Sequence, residues 1–212
     1  MICVSIADVT ADEACRIIRE HEISEVRLDR IKFSDSDLEK IFTSGKTVAT
    51  FRPVDGIDNG KRIKILKAAI KHGASYIDIE VENNDAYKNE LKETAAITGC
   101  KTIVSYHDYK KTPVMRELEQ LITWCFEGGA DLAKIACQAN SMSDAARLLS
   151  LYSLGKPVIS IGMGKEGKIT RIAASLLGAP FTYASLDAAR ETAPGQIDAA
   201  KLKQIIDMIR NS

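Results

Sequence analysis

The feature that most constrains this chain is a period. Short apolar stretches alternate with longer segments of helical spacing, and the pair recurs eight times in steps of roughly 25 residues. The predicted strands are Ile2 to Ala7, Glu25 to Asp29, Thr47 to Arg52, Tyr76 to Val81, Lys101 to His107, Leu132 to Cys137, Pro157 to Met163 and Phe181 to Leu186. A helix is expected after each. Thr10 and Glu13 offer a capping box for the first, which runs to about His21. Gly73 closes the third, Pro113 suits the first turn of the fifth, and Ser141 caps the sixth. The seventh spans Gly167 to Leu177 and the last Ile197 to Ile209. Eight such units over residues 1–212, with no Pro/Gly/Ser-rich linker, predict one (β/α)8 barrel. A doubly wound open sheet shares the alternation, but no G-x-G-x-x-G follows the first strand.

Barrel strands point alternate residues inwards, and barrel enzymes work at the C-terminal ends of the strands. Here those positions are charged. The second strand carries Glu25, Arg27 and Asp29 on one face, the third ends in Arg52, and the fourth holds Asp78 and Glu80. Ser105 and His107 end the fifth, and the seventh runs into Met163, with Arg171 in the following helix. Desolvating so many ionisable groups is a poor way to gain stability, so a functional pocket explains the set better than a structural network.

Lys134 is the most unusual of them. It sits inside Leu-Ala-Lys-Ile-Ala-Cys, among small and aliphatic residues. An apolar setting favours a neutral amine, which can attack a carbonyl and form a Schiff base. On that strand alone, an edge position with Lys134 in water explains as much; the charges on the other strands reverse the preference. Of the three histidines, His21 and His72 close helices, where a positive charge suits the dipole. His107 lies at a strand end and fits a general base.

Composition narrows the partners. Lys+Arg and Asp+Glu balance at 29 each, which gives no sign of nucleic acid or an anionic membrane as partner. No apolar run is long enough to span a bilayer, and the start lacks a signal-peptide pattern. Five scattered cysteines without C-x-x-C point to reduced thiols in a cytoplasm rather than disulfides or zinc. His107-Asp108 has no further ligand at metal spacing, so no metal site is expected. The glycine-rich Gly162–Gly167 segment reads equally as a phosphate loop or a flexible one. Thr192-Ala-Pro-Gly-Gln196 reads as a turn that can set Gln196 over the mouth as a lid.

Taken in order, Glu25-Val-Arg27-Leu-Asp29, Thr50-Phe-Arg52, Tyr76-Ile-Asp-Ile-Glu80, Ser105-Tyr-His-Asp-Tyr109, Ala133-Lys-Ile-Ala136, Met163-Gly-Lys-Glu-Gly167 with Arg171, and Ala193-Pro-Gly-Gln196 resemble the type I 3-dehydroquinate dehydratases. The resemblance covers essentially the whole chain, and the motifs are specific as a set rather than singly. It implies a (β/α)8 fold, a homodimer, and no metal or organic cofactor. It also implies that Lys134 forms a Schiff base with 3-dehydroquinate and that His107 is the general acid and base. Arg171 matches the arginine that holds the substrate carboxylate. Glu25, Arg27, Arg52 and Gln196 match positions that hold ring hydroxyls or order the pocket; Met163 matches an apolar wall, and Thr192 joins the substrate contacts.

One stretch departs from the family pattern. Many members carry a glutamate, in a Glu-Gly-Gly setting, soon after the third-strand arginine, where it orients the catalytic histidine. This chain reads Arg52-Pro-Val-Asp-Gly-Ile-Asp-Asn-Gly60, so Asp55 is the nearest substitute, with Asp58 behind it. Two other readings share the barrel and the lysine. One is a class I aldolase or transaldolase acting on a sugar phosphate; the other is a barrel that only binds a metabolite.

Overall fold

The computed structural model describes all 212 residues. Eight parallel strands and eight helices alternate along the chain as expected. The strands are β1 (Ile2–Ile6), β2 (Ile23–Arg27), β3 (Thr47–Thr50), β4 (Tyr76–Glu80), β5 (Lys101–Asp108), β6 (Leu132–Gln138), β7 (Val158–Met163) and β8 (Thr182–Ser185). The helices are α1 (Ala11–Glu20), α2 (Asp35–Thr43), α3 (Asn59–Lys71), α4 (Asp85–Thr98), α5 (Met115–Glu127), α6 (Met142–Ser150), α7 (Lys168–Ala174) and α8 (Ala199–Arg210). Strand order runs β7-β6-β5-β4-β3-β2-β1-β8, a (β/α)8 barrel in which sequence neighbours pair from β1 to β7 and β8 returns to β1. None of the helices is long and apolar enough to cross a membrane.

Alternation sorts the side chains into two cores. Outward residues such as Val26, Ala49, Ile77, Val104 and Ile135 pack under the helices. Inward residues near the strand starts, among them Ile23, Val48, Tyr76, Ile103, Leu132 and Phe181, fill the barrel. Tyr76, Phe181 and Tyr183 meet edge to face at centroid separations of 5.5 and 5.6 Å and plug its lower half. Above that plug the inward positions turn polar: Ser5, Glu25, Thr50, Asp78, Ser105 and Lys134 are all buried.

The barrel has one seam, between β7 and β8, where no backbone ladder forms. Buried backbone groups still need partners, and here side chains supply them. The Tyr152 hydroxyl accepts from Ser160 N at 3.0 Å, and Thr170 Oγ1 accepts from Gly162 N at 2.7 Å. Across the gap, Arg171 Nη1 donates to the Tyr183 carbonyl at 3.3 Å, and Thr182 Oγ1 donates to the Arg171 carbonyl at 2.9 Å.

Local details depart from the sequence expectation. Strand β2 starts and ends two residues earlier than expected, because Asp29 leaves the ladder to pair with Arg27. Strand β3 ends at Thr50, before Arg52. Helix α5 starts at Met115 after a Val114 cap, not at Pro113. Thr10 Oγ1 does accept from Glu13 N, but the Glu13 carboxylate completes no capping box and takes Arg190 Nη1 at 2.9 Å instead.

Candidate active site

The charged strand ends expected from parity do converge. Lys134 on β6 points into the barrel and is only 5% exposed. Its surroundings are not apolar, as its own strand suggested. Nζ lies 2.8 Å from Asp78 Oδ2 and 3.6 Å from Glu25 Oε1, and 4.4 Å above the centroid of the Tyr183 ring. The carboxylates are themselves tied down. Glu25 accepts from Ser5 Oγ at 2.9 Å and from Thr50 Oγ1 at 3.0 Å. Asp78 accepts from Ser105 Oγ at 2.5 Å and takes both prongs of Arg52, at 2.9 and 2.7 Å. Burial would raise the Asp78 carboxyl, but Arg52 and then Lys134 outweigh it and hold it well below the usual carboxylate range.

Arg52 also reaches Glu80 Oε1 at 2.7 Å, and the other Glu80 oxygen takes Arg62 Nη2 at 2.9 Å. Arg62, buried on α3, anchors this row to the Phe51 carbonyl as well. The signs therefore alternate from Arg62 through Glu80, Arg52 and Asp78 to Lys134. Arg27 stands beside this row, paired through Nε and Nη2 with Asp29 at 3.0 and 2.7 Å.

His107 lies on β5, next to β6, with its ring half-buried and no hydrogen bond to a protein group. Tyr109 lies parallel to it at 6.3 Å. Burial, followed by the charges of Arg52 and Lys134, pushes the imidazole well below its ordinary value; Asp78 opposes them. The ring is neutral at pH 7 and free to accept a proton. Asp55 makes no hydrogen bond to it: that side chain is exposed on the loop after β3. Asp58 is occupied too, capping α3 by accepting from Lys61 N at 2.8 Å.

Arg171 is 1% exposed, and beyond its contact to Tyr183 its Nε and Nη2 have no partner. Burial lowers it to about 10. A buried guanidinium with unused donors is a costly arrangement in a free protein and a ready one for an anion. Gln196 reaches the cleft from the β8–α8 loop. Its Oε1 accepts from Thr192 N at 2.7 Å, and its Nε2 reaches Ser5 Oγ at 3.4 Å. That loop is locked to the β7–α7 loop, where Gly164 N donates to the Pro194 carbonyl at 3.1 Å. Gly195, at φ +75°, passes so close that a Cβ there would meet Gly164 O at 2.4 Å. Gly164 itself lies at φ +80°, and the Gln138 side chain fills the space a Cβ there would need, so backbone conformation and packing account for this glycine.

Lys134, His107, Glu25, Arg27, Arg52, Arg171, Gln196, Thr192 and Met163 line a single cleft of about 50 Å³. Of the residues matched to the family pattern, Asp55 and Asp58 stay outside this lining, and Asp78, Glu80 and Ser105 lie behind it. Sequence reading gave no role to Asp78, Tyr183 or Ser5; parity had placed Asp78 on the inner face, but the choice of Lys134 as its partner is made in three dimensions. A larger hollow of about 480 Å³ lies away from this chemistry, around Met1, His21 and Arg210. No three His, Cys, Asp or Glu side chains are grouped to hold a metal ion.

Fold and site together define a (β/α)8 barrel with a lysine-centred ionic pocket at the C-terminal ends of its strands. The sequence narrows this further: the chain belongs to the type I 3-dehydroquinase family, whose profile matches residues 2–212. It is 38% identical to the 3-dehydroquinate dehydratase of Methanococcus vannielii, over 99% of this chain and 100% of that one. The type I 3-dehydroquinate dehydratase of Clostridium difficile superposes with a TM-score of 0.87 at 23% identity, covering 99% of this chain and 92% of that one. The 3-dehydroquinate dehydratase of Aquifex aeolicus gives 0.85 at 27% identity, with both chains covered completely.

Proposed function

We propose that the protein is a 3-dehydroquinate dehydratase, removing water from 3-dehydroquinate through a Schiff base on Lys134 with His107 as general acid and base. The observation that carries this reading is the cleft itself. Lys134 and His107 open into it from adjacent strands, and Arg171 offers it two unpartnered guanidinium nitrogens. A keto acid matches all three groups at once.

The Lys134 ammonium and the C3 ketone combine to give a protonated imine and one water. The cationic imine draws electrons from C2, so a proton there becomes acidic. Neutral His107 takes that proton, leaving an enamine. The imidazolium then protonates the C1 hydroxyl, which departs as water while the enamine electrons restore a conjugated imine. Hydrolysis frees 3-dehydroshikimate and the ammonium, so the net change is the loss of one water. Arg171 holds the substrate carboxylate. Glu25, Arg27, Arg52, Thr192 and Gln196 contact the ring hydroxyls or shape the slot, and Met163 forms an apolar wall.

The rest of the proposal is a catalytic unit spanning 1–212 that pairs as a homodimer in the cytoplasm, where its five free cysteines stay reduced. Sedimentation velocity tests the dimer. Borohydride added with 3-dehydroquinate tests the chemistry: reduced product mass on Lys134 is expected. Trapping with a sugar phosphate alone would instead make the protein an aldolase, and trapping with neither would leave a binding barrel.

A further inference from the structure

We infer that Asp78 is the positioning residue of the Schiff-base step, an anion fixed beside Lys134 Nζ that favours formation of the cationic imine. The inference rests on the Schiff-base reading above and adds a residue that does not itself contact substrate.

Three observations carry it. Asp78 Oδ2 is 2.8 Å from Nζ, nearer than Glu25 at 3.6 Å. The Asp78 carboxylate is 1% exposed and clamped from three sides, by both prongs of Arg52 and by Ser105 Oγ, so it can neither swing away nor relax towards solvent. It also stays ionised, because Arg52 and Lys134 overcome its burial. It is therefore a poor proton acceptor and a good fixed charge.

The consequence follows from the charge on nitrogen. Ammonium and ketone become protonated imine and water with one positive charge on each side. Between them lies a neutral carbinolamine, formed when the ammonium loses one proton to water and the freed amine adds to the carbonyl carbon, passing a second proton to its oxygen; the first proton returns from water when the hydroxyl departs. Expelling the carbinolamine hydroxyl as water creates the cation anew, 2.8 Å from an anion already in place. A partner preset for a developing charge does most for that step. Proton removal from C2 runs the other way, from cation to neutral enamine, and receives no such help. Asp78 thus serves imine formation, and His107 serves proton transfer.

Rapid-quench borohydride trapping with 3-dehydroquinate separates the two. Asp78→Asn should slow adduct formation by about a hundredfold. It should also bring the kinetic isotope effect for C2-deuterated substrate towards unity, since C–H cleavage would no longer limit turnover. A purely structural role would lower the active fraction and leave the isotope effect unchanged, which would overturn the inference. So would adduct formation at the rate of the unaltered protein. Should Asp78→Asn fail to fold, Ser105→Ala decides: it keeps the charge but frees one side of the carboxylate. A several-fold slowing of the same step with a smaller isotope effect supports the role, and an unchanged rate overturns it. If the unaltered protein forms no adduct at all, the Schiff-base reading itself fails.

Discussion

Arg52 and Asp78 meet as a two-pronged pair, Nη1 to Oδ1 at 2.9 Å and Nη2 to Oδ2 at 2.7 Å, with the carboxylate wholly buried. Such a pair is expensive to break, because the survivor is left as an isolated charge. Its carboxyl lies well below its ordinary value, the charges of Arg52 and Lys134 outweighing burial. A group depressed by folding adds stability above its unfolded value and loses it as pH falls through the folded one. Urea unfolding should therefore show the Asp78 contribution intact down to about pH 4 and fading below it. Asp78→Asn should lose about 3–5 kcal/mol at pH 7 and decline less steeply in acid. Equal acid slopes in the two proteins would remove the pair from the account of acid stability.

Lys134→Ala should abolish both the trapped adduct and turnover. The fold should survive, because Asp78 keeps both prongs of Arg52 and the bond from Ser105. Circular dichroism and a turnover assay check this together. Normal turnover by a folded variant would rule out Schiff-base catalysis here.

His107→Ala should still form the adduct but fall in turnover by about 10²–10⁴. In the unaltered protein, burial and the nearby cations depress the imidazole, so the base is already neutral at mildly acidic pH. The acid limb of kcat/KM assigned to His107 should lie below pH 6.5. A limb centred above that value would contradict the cationic environment described for the ring.

Arg171→Met should separate binding from stability. The variant loses the carboxylate partner, and truncating one side of a buried charge pair costs about 2–5 kcal/mol, so KM should rise at least thirtyfold. The free protein should melt higher, since a buried cation with two unused nitrogens is gone. A lower Tm together with an unchanged KM would make Arg171 a strut of the seam only.

Asp55→Ala should leave kcat within about twofold, as expected for an exposed side chain away from special features. A hundredfold loss measured in the same assay would restore to Asp55 the orienting role that the loop pattern suggested.

Much of this molecule can be read from its residues, and the remainder has a common cause. The strand–helix period and inward parity are local properties, so β4 could be placed with Asp78 and Glu80 on one face. His107 stands out at its strand end, whereas Lys134, Arg171 and Gln196 become visible only as members of a set, through the charged strand ends and the family pattern. Pairing is different. Lys134 and Asp78 are 56 positions apart, and nothing local chooses Asp78 over Glu25 as the nearer partner. The departure at Asp55 shows the same limit: a carboxylate near the right place in the chain stands exposed on its loop. Tyr152 and Thr170, which finish the strand edge at the seam, read as ordinary helix residues until β7 is seen without a neighbour on one side.

That seam makes the ring of strands a split collar rather than a closed hoop. Opening it breaks no strand ladder, only single bonds: the backbone bond from Gly164 to Pro194 between the flanking loops and a few from side chains, one of them from the arginine that faces the cleft. An anion seated on that guanidinium would pull on the collar at its split, so occupancy of the cleft should be felt as slower amide exchange along β7 and β8, ahead of every other strand.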